Sequence, residues 1–316
     1  MQRLLIPDTD LEVSALCLGV SGFGASVRGA EADRLVADFM EAGGNFFDTA
    51  HCYAFWLENG LGASEREIGA SLRRLGVLER AVVATKGGHP DMGPGYARPA
   101  DFLSEQVLAA DIEESLNRLG VETISLYFLH RDDGRTPVGE IIERLNREIR
   151  RGRIRYIGAS NWSVNRIAAA NAYAREKGLR GFVASQIQGS LAIPNWSVTE
   201  DPTTRYLTDA ELSWHADSGI PIVAYSATAG GYFADATRKH ELYDSPQNEE
   251  RRRRAIALSA QLGCAPGQIA LAYLQNLPAR VIPLFSTHRR EHLAEALDSV
   301  HIFLTPEHVR WLRDGE

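Results

Sequence analysis

The sequence predicts an α/β fold, a (β/α)8 TIM barrel with an N-terminal β-hairpin closing its bottom, on three observations. Short apolar runs alternate with longer amphipathic segments from Leu16 nearly to the C-terminus. No Gly-x-Gly-x-x-Gly turn follows any of those runs. The segment ahead of the first run reads as a hairpin of its own. Length alone allows one domain or two, but no linker or shift in composition divides the chain. Residues 1–316 are therefore expected to form a single barrel domain.

Each element has a local justification. Residues 3–6 and 11–13 flank the polar turn Pro7-Asp-Thr-Asp10, which makes the hairpin. The apolar runs then fall at 15–19, 45–48, 81–86, 124–130, 154–160, 183–186, 220–225 and 280–284. They are apolar on both faces, as parallel strands covered by helices must be. Between them Leu108, Ile112, Leu116 and Leu119 recur at helical spacing. So do Val138, Ile141, Ile142, Leu145 and Ile149, with Glu143, Arg144, Arg147 and Arg150 on the opposite face. Gly43, Gly76, Gly120, Gly152 and Gly178 stand where these helices should stop. Thr305-Pro306-Glu307 reads as an N-cap followed by proline at the first helical position. Eight strand-then-helix units fit a closed barrel or a doubly wound sheet. Gly22-Phe-Gly24, without a third glycine, argues against the dinucleotide turn of the latter.

Composition narrows the classes. The chain is 44% hydrophobic and 24% charged, with a formal net charge of −7. That balance argues against a nucleic-acid binder. No run approaches the ~18 apolar residues of a membrane helix, and residues 1–7 lack the pattern of a signal peptide. Cys17, Cys52 and Cys264 are odd in number and widely spaced, which gives neither a disulfide framework nor a zinc pattern. A cytoplasmic setting is expected. Arg251 to Arg254 follow Glu249 and Glu250 and read as a solvated helix face.

In a barrel of this kind the chemistry sits at the C-terminal ends of the strands. Those positions hold Asp48, Lys86, His130, Ser160-Asn161, Gln186 and Tyr225. Singly, each has a bland explanation as a cap, a solvated group or a core aromatic. Together they put polar groups at six consecutive strand ends, which a purely structural barrel has little reason to do.

With those residues in view, the chain resembles the aldo-keto reductase family over essentially its whole length. The resemblance begins at Asp10-Leu-Glu-Val-Ser-Ala-Leu-Cys-Leu-Gly19 and is strongest in Phe47-Asp-Thr-Ala-His-Cys-Tyr53. It continues through Ser64-Glu65, Thr85-Lys86, Leu126-Tyr-Phe-Leu-His130 and Arg155-Tyr-Ile-Gly-Ala-Ser-Asn161, and ends with Ala224-Tyr-Ser226 and residues 283–293. It implies an oxidoreductase with the catalytic set Asp48, Tyr53, Lys86 and His130. Chemistry independently favours those types. Hydride addition to a carbonyl leaves an alkoxide that needs a proton and electrostatic support. A free tyrosine, with a pKa of about 10, is a reluctant acid that a neighbouring ammonium should make more willing. Tyr53 is therefore the expected proton donor, Lys86 its tuner and Asp48 the anchor of Lys86. His130 is expected to polarise the carbonyl.

The resemblance also implies NADPH/NADP+ as cofactor. Ser160, Asn161 and Gln186 would hold the nicotinamide carboxamide, with the Tyr225 ring stacked on the nicotinamide and Ser226 beside it. Gly19 and Val20 would lie along the cofactor. Ser286, Thr287 and Arg289 would meet the 2′-phosphate at a helix N-terminus, and Glu295 would sit near the adenine end. The sequence departs from the family pattern at Ala227-Thr228, Leu284-Phe285 and Ala296.

The expected partner is a small-molecule carbonyl compound, with neither nucleic acid nor membrane. Phe55 and Trp56, in an unusually long stretch between Tyr53 and Ser64, are candidate substrate contacts with Trp196; sugar-derived carbonyls are favoured. Two alternatives stand beside this reading. One is a metal-dependent barrel enzyme using His51, Cys52, His89 and His130, although these form no recognised ligand spacing. The other is a cofactor-binding redox sensor or auxiliary subunit with little turnover, as some members of the family resemble.

Overall fold

The computed structural model describes residues 1–195, 201, 203–234 and 236–316. Strands β1 (Arg3–Leu5) and β2 (Glu12–Ser14) pair antiparallel, with Arg3 opposite Ser14 and Leu5 opposite Glu12. The next eight are β3 (Cys17–Gly19), β4 (Phe46–Asp48), β5 (Val82–Gly87), β6 (Ile124–Leu129), β7 (Ile154–Ser160), β8 (Phe182–Gln188), β9 (Ile222–Tyr225) and β10 (Val281–Phe285). They run parallel in sequence order, and β10 pairs back onto β3 to close the barrel. The fold is a (β/α)8 TIM barrel. Helices α1 (Ala30–Glu41), α2 (Ala63–Arg74), α3 (Glu105–Leu119), α4 (Val138–Arg150) and α5 (Val164–Glu176) follow the first five barrel strands. The rest are α6 (Asp209–Ser218), α7 (Pro246–Leu262), α8 (Pro266–Gln275), α9 (Arg290–Asp298) and α10 (Pro306–Asp314).

Alternation along the strands sorts the core into two layers. Outward side chains such as Phe47, Tyr127, Leu129 and Ile157 pack against the buried faces of the helices. Inward ones, including Cys17, Phe46, Ala84, Leu126, Phe128, Val223 and Ile282, pack with Ile6, Leu11 and Val13 of the hairpin. The hairpin thus plugs the bottom of the barrel with apolar side chains. Asn45, just ahead of β4, pins it: its Oδ1 accepts from the Ser14 amide at 2.8 Å, and its Nδ2 donates to the Glu12 carbonyl at 2.8 Å. The Tyr156 hydroxyl donates to Asp10 at 2.9 Å from the far side.

The helix boundaries follow from local chemistry. α3 stops at Gly120, whose left-handed φ of 67° costs a glycine little and lets its amide close on Leu116. At α10, the Thr305 hydroxyl accepts from the His308 amide at 3.3 Å, with Pro306 in the first turn. Among the described residues no single helix is long and apolar enough to cross a membrane.

The basic run on α7 differs from expectation. Arg251 and Arg252 are only 4% and 6% exposed. Arg251 donates to the carbonyls of Leu191 and Arg313 at 2.8 and 3.0 Å. Arg252 donates to the Arg238 carbonyl and lies 4.3 Å from the centre of the Tyr232 ring. A guanidinium presents five donors on an apolar stem, so it can enter a protein wherever loop carbonyls need partners. Arg253 stays in solvent beside Glu250.

Candidate active site

The polar strand ends converge. Asp48, Tyr53, Phe55, Trp56, Lys86, His130, Ser160, Asn161, Gln186 and Tyr225 line one cavity of about 310 Å³ at the C-terminal mouth. Asp48 ends β4, Lys86 is the penultimate residue of β5, and His130 directly follows β6. Tyr53 sits on the loop leaving β4. That loop is held down where Lys86 donates to the Thr49 carbonyl at 2.6 Å and the His51 amide donates to the Lys86 carbonyl at 2.8 Å.

At the centre lies a buried ion pair. The Lys86 ammonium is 2.5 Å from Asp48 Oδ1, and the other Asp48 oxygen accepts from Gln186 Nε2 at 2.8 Å. Burial disfavours the ammonium, but the Asp48 charge, aided by Tyr53, more than offsets it and holds Lys86 above the usual lysine range. Lys86 Nζ stands 4.8 Å from the centre of the Tyr53 ring. The Tyr53 phenol nevertheless lies above its ordinary range: burial raises it more than the nearby ammonium lowers it. The expectation of a net acidified tyrosine is therefore corrected. Lys86 opposes the rise without reversing it, and Tyr53 rests as a neutral phenol.

His130 closes the other side, its ring 6.0 Å from that of Tyr53 and 4.7 Å from that of His89, both edge-on. Burial first, then the Arg131 charge, holds it well below the ordinary histidine range. The same two causes lower His89 to about 4. A neutral imidazole carries one N–H, and its Nδ1 lies 3.6 Å from the Cys52 thiol. Burial pushes that thiol up to about 12, so it keeps its proton and can donate it to Nδ1. Such a bond leaves the N–H on Nε2.

The amide-bearing residues form a second group. Asn161 Nδ2 donates to the Ser160 hydroxyl at 3.1 Å, and Asn161 Oδ1 accepts from the Tyr225 hydroxyl at 2.8 Å. Asn161 and Ser226 have φ of 59° and 57°, a region that non-glycine residues occupy at a cost of about 1–3 kcal/mol. Strain of that size at the ends of β7 and β9, on either side of β8, marks a backbone shaped for something other than stability. Ser226 does not line the cavity; its hydroxyl bonds Tyr243.

Ser286, Thr287 and Arg289 lie apart from the cavity, where β10 leads into α9. The Thr287 hydroxyl accepts from the Arg289 amide at 3.1 Å, and the exposed Arg289 guanidinium is only loosely paired with Glu291, at 3.9 Å. Gly19 lies against this turn: a Cβ there would come within 2.5 Å of the Ser286 hydroxyl and 2.7 Å of Leu284. The neighbouring Val20 amide donates to the Asp48 carbonyl at 2.9 Å. A Cβ on Gly267 would meet the Glu295 carboxylate at 2.8 Å, which places Glu295 over the start of α8. The donor set suits a dinucleotide: neutral amides and a phenol at one end, hydroxyls and an exposed, loosely paired cation at the other.

Trp196 lies outside the described residues. Trp56 is 56% exposed and meets Phe55 edge-on at 5.5 Å, so it does not seal the loop against the core. Among the described residues no three His, Cys, Asp or Glu side chains are grouped to hold a metal ion. His51 instead bonds the Tyr96 hydroxyl at 3.1 Å and Glu114 at 3.0 Å, joining the loop after β4 to the β5–α3 connection and to α3. The structure adds wall residues that sequence reasoning did not assign to substrate or catalysis: His89, Met92, Arg131, Asp201 and Thr204. Arg131 had one available signal, its place next to His130 at a strand end. Asp201 and Thr204 come from a long connection with no periodicity to read.

The comparisons agree with the barrel fold and assign the chain to a family. The profile described as "Aldo/keto reductase family" matches residues 15–314. An uncharacterized oxidoreductase, YrpG, of Bacillus subtilis (strain 168) is 30% identical, over 99% of this chain and 95% of that protein. Norsolorinic acid reductase A of Aspergillus parasiticus is 27% identical, over 99% of this chain and 80% of its own length. Among solved structures, a thermostable aldo-keto reductase, Tm1743, in complex with the inhibitor epalrestat superposes with a TM-score of 0.73. It covers 99% of both chains at 23% identity, a likeness of fold.

Proposed function

The chain belongs to the aldo/keto reductase family, and from that premise we propose that it reduces aldehydes or ketones with NADPH, with Tyr53 as the proton donor. The observation that carries this reading is the buried Asp48–Lys86 pair, 2.5 Å across, set beside the Tyr53 phenol and facing a neutral His130. When bound, a reduced nicotinamide supplies the hydride. The protein supplies the rest. A carbonyl oxygen between Tyr53 and His130 accepts from the phenol and from Nε2–H, so charge developing on it meets two donors already in place. As the oxygen becomes an alkoxide, the Tyr53 proton passes to it, and Lys86 stabilises the phenolate left behind. Asp48 keeps Lys86 charged for that moment, and Gln186 keeps Asp48 oriented.

Ser160, Asn161 and Gln186 would hold the carboxamide, and Tyr225 would present its ring to the nicotinamide, with Ser226, Gly19 and Val20 along the cofactor. Ser286, Thr287 and Arg289 would take the 2′-phosphate, and Glu295 the adenine end. The exposed Arg289 cation, only loosely paired with Glu291, favours NADPH over NADH. The direct test follows coenzyme oxidation, NADPH against NADH, over a panel of aldehydes, ketones and oxidised sugars. Multiple turnovers with NADPH preferred are expected. A clear NADH preference removes the cofactor assignment. A single turnover on every substrate favours the redox-sensor alternative.

A further inference from the structure

The cavity wall contributed by β6 and the β8–α6 connection carries a second ion pair, and it bears on which carbonyl compounds can enter. Arg131 follows His130 and is 8% exposed. Each part of its guanidinium is engaged: NH2 donates to Asp201 Oδ2 at 2.7 Å, Nε to the Thr203 hydroxyl at 2.8 Å, and NH1 to the His130 carbonyl at 2.9 Å. Thr203 completes the unit by donating to the other Asp201 oxygen through its hydroxyl at 2.5 Å and its amide at 2.9 Å. Burial raises the Asp201 carboxyl, but the bonds from Thr203 and Arg131 outweigh it and keep the carboxylate ionised. Arg131 and Asp201 both line the cavity that holds Tyr53 and Lys86.

Resting on the reading of the site as a carbonyl reductase, we propose that the Arg131–Asp201 pair is its specificity element, selecting neutral, hydroxyl-bearing carbonyl compounds over those carrying a carboxylate. Lys86 and Arg131 both face the cavity, and each is matched to a carboxylate of the protein. An anionic substrate must therefore displace Asp201 from Arg131 or lie beside its negative charge. Either loses more than an incoming carboxylate regains at a site this close to solvent, because Asp201 is already bonded and needs no reorganisation. A hydroxyl group meets donors and acceptors on the same wall without breaking the pair.

The test measures kcat/KM for succinic semialdehyde, anionic, and DL-glyceraldehyde, neutral and hydroxylated, in the wild type and in two variants of opposite charge effect. Asp201→Asn frees the Arg131 cation, and the anionic-to-neutral ratio is expected to rise about tenfold. That gain should shrink as sodium chloride is raised toward 1 M. Arg131→Gln leaves Asp201 as an unmatched anion, and the same ratio is expected to fall below the wild-type value. General damage to the site cannot move one ratio in opposite directions. A ratio unchanged in both variants, or shifted the same way in both, overturns the proposal. Wild-type protein that reduces neither compound, nor any member of the carbonyl panel, overturns the underlying reading instead.

Discussion

The two ends of the barrel make an instructive pair. At the bottom, among the hairpin, the N-terminal ends of the strands and the ends of α2 and α3, lies an open concavity of about 740 Å³. At the mouth the cavity is less than half as large, about 310 Å³. Size alone would choose the bottom. Its charges, such as Asp10 and Arg155, meet in solvent, and beneath them the barrel is sealed by Ile6, Leu11 and Val13. At the mouth, Asp48 and Lys86 are buried against each other, with a phenol and a neutral imidazole alongside. Taking two charges out of water costs several kcal/mol per ion unless geometry returns it. A fold that retains such a pair in a cavity keeps it for a purpose other than stability. The contrast teaches that the chemistry of a wall, more than the volume behind it, marks a site.

The sharpest way to break this comparison is Tyr53→Phe. Loss of the proposed proton donor should lower kcat by about 10²- to 10⁴-fold with the melting temperature nearly unchanged. A variant retaining full turnover would remove Tyr53 from the chemistry. Lys86→Met should lose activity and also about 3–5 kcal/mol of stability, because it strands the Asp48 carboxylate in the core. The double variant Asp48→Asn/Lys86→Met should recover much of that stability in urea titrations while staying inactive. Recovery of both would mean that the pair is structural. At the bottom the pattern reverses: Leu11→Ala should cost about 2–5 kcal/mol of stability through the cavity it leaves, with kcat on a good substrate unchanged below the transition. A large fall in kcat there would show that the two ends are coupled.

A further effect is expected on pH. His89, lowered to about 4, stays neutral in the folded state while the unfolded chain takes up a proton near pH 6.5. Stability should therefore decline as pH falls from about 6.5 to 4, by up to roughly 3 kcal/mol from this residue, with His130 acting in the same direction. His89→Asn should flatten the decline in denaturation curves. An unchanged slope would assign it to other groups.

What could be read in the chain, and what could not, divides along a physical line. Alternation and helical spacing located the eight barrel strands and the helix stops, because period and capping are local properties that each segment carries with it. The polar strand ends Asp48, Lys86, His130, Asn161, Gln186 and Tyr225 were legible for the same reason: a barrel sends all its parallel strands toward one mouth, so the last polar residue of each run shares a place with the others. The net direction of the Tyr53 shift was not legible, since it balances burial against one ammonium and depends on how deeply the loop packs. Nor was the inward turn of Arg251 and Arg252, which depends on carbonyls of Leu191, Arg238 and Arg313 supplied from distant parts of the chain. The Arg131–Asp201 pair joins residues seventy positions apart. Periodicity is written residue by residue, whereas desolvation and the choice of a charged partner exist only once the chain has closed on itself.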